Sequence, residues 1–74
     1  MMQKIFVDFN NCDPQGRVRL NTRGTLDDLE RLNINLKSGL ELLLDDEEEL
    51  SAIGIVQFSE DENIWVASFR WLNT

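Results

Sequence analysis

The densest apolar pattern in the chain runs from Gly54 to Leu72. Ile55, Val56 and Phe58 precede the polar break Ser59-Glu60-Asp61-Glu62-Asn63, and Ile64, Trp65, Val66, Phe69 and Trp71 follow it. Two apolar runs around a polar turn predict a long β-hairpin, its arms near Ser51–Phe58 and Ile64–Leu72. Upstream, Gln3 to Asn10 alternates with period two, with Ile5, Val7 and Phe9 on one side, and Arg17 to Asn21 alternates again with Val18 and Leu20 inward. The turn-rich Asn11-Cys12-Asp13-Pro14-Gln15-Gly16 between them predicts a first hairpin. Leu40, Leu42 and Leu44 share one face of a further strand. The period changes only at Thr25–Leu32, where Leu26, Leu29 and Leu32 fall near one side. Thr25 can cap a helix there and Asp27 and Asp28 would sit in its first turn, so a short helical segment is expected, ended by Asn33. The sum is all-β: a small five-stranded antiparallel barrel with one short helical turn after strand two.

Seventy-four residues hold one domain, taken as 1–74. The hairpin register decides which side chains are left outside. Pairing Phe58 with Trp65 puts Val56, Ala67 and Phe69 on the shared face, and a one-residue slip exchanges the two faces. In the first register Ile53, Ile55, Ile64 and Val66 are bulky apolar residues left over on the opposite face, and these, with Trp71 near the end of the last strand, are the expected interaction residues.

Charge and chemistry narrow the function more than they name it. The formal net charge is −7. It is +1 over residues 1–37 and −8 over residues 38–74, so the second half repels a phosphate backbone. Arg17 and Arg19 on the outward side of strand two, with Arg23 in the next turn, form the one candidate anion contact, and a nucleic-acid role through them, or mimicry by the acidic half, is the alternative function. The run Asp45–Glu49 lacks the alternating ligand spacing and glycine of a calcium loop and predicts a solvated turn. There is no histidine and one cysteine, Cys12, beside Asp13, a neighbour that works against thiolate formation. General acid–base catalysis, a Cys–His pair and a zinc site are therefore not expected within this chain, and no catalytic residue, metal, cofactor or small-molecule substrate is assigned. The single thiol, and an N-terminus that runs directly into a strand pattern, predict a cytoplasmic protein, and no segment has the run of roughly 18 apolar residues that suits a membrane span.

The stretch Leu36-Lys37-Ser38-Gly39-Leu40-Glu41-Leu42, then Gly54-Ile55-Val56, the acidic tip and Ile64-Trp65-Val66-Ala67, resembles the strand-turn pattern of small SH3-like barrels, and is similar to that of small uncharacterised bacterial proteins. The resemblance covers residues 36–72 and implies a fold whose members bind peptides, nucleic acids or other proteins. The chain has no tyrosine, unlike the aromatic groove that takes proline-rich peptides. The expected function is thus a small protein-interaction or accessory module that meets another protein or a second copy of itself, a homodimer or larger homo-oligomer.

Overall fold

The computed structural model describes residues 2–72. In chain order it contains β1 (Lys4–Phe6), β2 (Val18–Arg19), α1 (Arg23–Arg31), β3 (Glu41–Asp45), β4 (Ser51–Ser59) and β5 (Ile64–Trp71). The strands form one sheet in the order β1-β3-β4-β5-β2, curled into a half-barrel. The long hairpin β4–β5 is at its centre, paired Val56 to Ala67 and Phe58 to Trp65, the register that sets Val56, Ala67 and Phe69 on one face.

Two expectations are corrected. The sheet is mixed, because β1 runs parallel to β3 while every other pairing is antiparallel. The first two strands also make no hairpin with each other, since they lie at opposite edges of the sheet. The turn predicted at 11–16 does form, but it folds Asn11–Asp13 back on Arg17–Arg19: Cys12 bridges Val18, Arg19 N–H donates to Asn11 C=O, and Asp13 N–H donates to Arg17 C=O. Asp13 ties the turn together by accepting from the N–H groups of Gln15 and Arg17, and Val7–Asn10 leads from the β1 edge toward the β2 edge.

The helix starts earlier than the leucine spacing suggests. Thr22, not Thr25, is the N-cap. Thr25 is buried, and its hydroxyl donates to Phe6 C=O at 2.7 Å. Asp27 and Asp28 therefore fall beyond the first turn, and Leu26 points outward at 50% exposure. The C-terminus closes as a Schellman motif: Asn33 takes a φ of 57°, its N–H reaches Glu30 C=O, and Ile34 N–H reaches Leu29 C=O.

The core fills the inner face of the curled sheet. Ile5, Val7, Val18, Leu20, Leu42, Leu44, Val56 and Ala67 come from the strands and their flanks, Leu29 from α1, and Leu32, Ile34, Leu36 and Leu40 pack against them from the segment leading into β3. Parts of both outer strands are covered. In the parallel β1–β3 ladder the backbone groups of Phe6 point away from β3. Asp28 accepts from Phe6 N–H at 2.8 Å while Thr25 donates to its C=O, so helix side chains stand in for a neighbouring strand. The outer side of β2 is covered by Asn11–Asp13.

Candidate functional site

The outer face of the sheet carries apolar residues that the core does not use. The register places Glu41 beside Ile55 and Ile55 beside Ser68, and one step along it places Leu43 beside Ile53 and Ile53 beside Arg70. Side chains alternate on a strand, so all of these share that face. Ile53 and Ile55 remain half-buried and line a groove of about 300 Å³ with Glu41, Ser68, Phe69 and Arg70. An apolar floor lies between one carboxylate and one guanidinium.

The five expected interaction residues do not stay together. Ile53 and Ile55 are in the groove. Ile64 is half-buried at the far end of the hairpin, opposite Ser59. Val66 is 0% exposed and is unable to meet a partner, a correction with a clear cause. It lies between Arg19 on β2 and Gln57 on β4, and Arg17 Nη1 spans β5 to donate to Gln57 Oε1 at 3.2 Å. Polar side chains from a neighbouring turn thus roof a position that strand alternation alone leaves outside. Trp71 is on the opposite, inner face of the sheet, 50% exposed. Its ring meets Phe9 at 4.8 Å and Phe69 at 5.1 Å, and Phe9 and Phe69 are 5.2 Å apart. Phe9 arrives from the crossing after β1, so no local pattern signals this cluster. A second pair, Phe58 and Trp65 at 5.1 Å, lies near the hairpin turn, with Phe58 39% exposed.

The three arginines are also separated by their partners. Arg17 Nε donates to Asp13 Oδ2 at 2.9 Å. Arg19 forms a two-point pair with Glu62, Nε to Oε1 at 2.7 Å and Nη2 to Oε2 at 2.8 Å, and also reaches Asn11. That fork holds the Glu62 carboxyl below the usual carboxylate range and raises the Arg19 guanidinium. Burial alone would raise Asp13, but its bonds from Arg17 and Gln15 win and its pKa is lowered. Arg23 opens α1 and is exposed, without an ion pair among the described residues. Only Arg23 of the three offers an uncommitted charge.

The acidic stretches serve the local backbone first. Asp46 Oδ1 accepts from the N–H groups of Glu48, Glu49 and Leu50, which lowers its pKa, and Asp45 accepts from Glu47 N–H and Ser51 Oγ. The carboxylates of Glu47, Glu48 and Glu49 are left in solvent. Among the described residues no three Cys, Asp or Glu side chains are grouped to hold a metal ion. Cys12 donates its thiol to Phe9 C=O at 3.3 Å, and burial, then the Asp13 charge, push its pKa up. Among the described residues no helix is long and apolar enough to cross a membrane.

Glu41, Phe69 and Arg70 were not singled out from the sequence, although their places in strands were predicted. Only the cross-strand register brings them to Ile53 and Ile55. Comparison of the chain with protein families, with curated proteins and with solved structures found no match.

Proposed function

We propose that this chain is a small protein-interaction module whose anchor is the groove on the outer face of β3, β4 and β5. One observation carries the proposal: Ile53 and Ile55 are held half-exposed on a hydrogen-bonded sheet, between Glu41 and Arg70. Buried apolar anchors with a charged rim are the pattern by which protein surfaces recognise each other. The likeness of residues 36–72 to SH3-like barrels supports the same function class, and the unpaired Cys12 supports a reducing, cytoplasmic setting. The engagement of Arg17 by Asp13 and of Arg19 by Glu62 favours a protein partner over a phosphate backbone.

Affinity capture from native extract tests this. Wild-type chain should retain a defined partner, and Ile55→Lys, which changes the groove floor without touching the core, should lower the yield about tenfold or more. Equal recovery by both proteins, with both folded by circular dichroism, would remove the groove from the function. Sedimentation of the wild type at micromolar concentration checks whether a second copy is the partner.

A further inference from the structure

The hydrogen-bond phase of β5 leaves a short length of sheet edge open. Leu72 N–H donates to Ser51 C=O, and in an antiparallel ladder this makes every even residue of β5 face β4 and every odd residue face away. On the far side Leu20 N–H donates to Trp65 C=O, and Val18 lies opposite Ala67. Strand β2 begins there, and the turn before it bends back on itself through Gly16 N–H and Asp13 C=O. Phe69 and Trp71 therefore direct their backbone N–H and C=O groups outward with no strand opposite, and no described residue bonds them.

We infer that this edge receives an extended segment of another protein, which adds a strand to the sheet beside β5. The inference rests on the protein-interaction function proposed above and names the chemistry of the partner. A strand added here has its alternate side chains on the two faces of the sheet. Those opposite Phe69 and Trp71 meet the Phe9–Phe69–Trp71 rings and should be apolar or β-branched. The one between them falls beside Arg70, at the rim of the groove, and should be acidic. Past Trp71 the sheet ends at the β3–β4 loop, where Glu47, Glu48 and Glu49 are exposed, so the segment should carry Lys or Arg there. An antiparallel partner thus reads basic, apolar, acidic, apolar. A second copy of this chain fits less well, because a two-fold pairing of Phe69–Trp71 with itself sets Arg70 against Arg70 between chains of net charge −7.

The probe is a fluorescein-labelled peptide, Lys-Lys-Val-Glu-Val-Thr, followed by anisotropy as the full chain is added. Saturable binding is expected, weakened about tenfold by Trp71→Ala and about threefold when the peptide glutamate is replaced by lysine. N-methylation separates main-chain pairing from side-chain attraction. Methyl groups on both valines, whose N–H groups face β5, should lower affinity about tenfold or more, while one on the glutamate, whose N–H faces solvent, should leave it within about twofold. No binding up to about millimolar peptide, or equal effects of the two methylation patterns, overturns the proposal. A wild-type dimer in sedimentation that Trp71→Ala converts to monomer also overturns it, by giving the edge to a second copy. If the peptide fails while Ile55→Lys still abolishes partner capture, the edge is wrong and the groove stands.

Discussion

Gly54 shows how one residue can depend on a single neighbour. A Cβ built on it meets Leu44 Cδ1 at 2.6 Å and Cγ at 2.9 Å, and Leu44 is fully buried. Gly54→Ala should therefore cost about 1–3 kcal/mol by overpacking. The double substitution with Leu44→Ala should cost about 1 kcal/mol or more less than the two singles added, read from urea unfolding, and simple additivity would place the cost elsewhere. Thr25 makes a different kind of dependence. Its hydroxyl bonds both Phe6 C=O and Thr22 Oγ1 at a position with no solvent access, so Thr25→Val should lose about 1–3 kcal/mol while Thr25→Ser keeps most of it. The sequence marks Thr25 as a helix cap, because the residue type suits capping; only the neighbouring strand turns its hydroxyl elsewhere. Val66 teaches the same lesson from the apolar side, since a bulky residue on the outer face is buried by arginines folded over it.

Among the elements, the β4–β5 hairpin was legible in place, while its register stayed between two pairings that the folded sheet decides. Pairing Phe58 with Trp65 gathers Val56 and Ala67 on one face and leaves Gln57, Ser68 and Arg70 on the other, a local choice that burial rewards directly. Strands β1 and β2 were legible in part. Their alternation is real, but a turn between two alternating runs says nothing about which backbone each run will join. The edge geometry of β5 has a measurable signature. In amide hydrogen exchange the N–H groups of Ser68 and Arg70, which face β4, should be protected, and those of Phe69 and Trp71 should exchange about tenfold faster or more despite lying in the same strand. Uniform protection along β5 would mean that the edge is covered.

At the scale of the whole molecule, stability should be lost in acid. Asp13, Asp28, Asp46 and Glu62 all have lowered pKa values, each through bonds to backbone N–H groups or guanidinium groups that the unfolded chain lacks. A lowered folded pKa means that the unfolded chain takes up protons first as pH falls. The stabilisation is thus complete above the unfolded carboxylate values of about 4 and disappears as the pH drops through the lower folded values. Urea midpoints at about 0.15 M salt, which screens the repulsion of a −7 chain, should be level from pH 7 to about 5 and fall steeply below 4. Replacing Asp13 and Asp28 together by Asn should lower the neutral midpoint and flatten the acid slope; an unchanged slope would show that these carboxylates are not linked to folding.

What the sequence by itself determined is the content of the layers. The periods of two and 3.6, and the stops at Asn33 and Gly39, depend on neighbours within a few residues, so they were readable. They predicted five strands, one helix and the place of the long hairpin, and left its register, and with it the choice of outward apolar residues, to the packed sheet. What only the tertiary structure decided is who meets whom across long loops: β1 beside β3, α1 along the edge of β1, Phe9 under Trp71, and Arg17 across β5 to Gln57. Those pairings gain free energy only after distant segments are closed together, and no local pattern carries that information. The groove and the open edge of β5 belong to this second class, which is why the sequence supplied their residues but not their site.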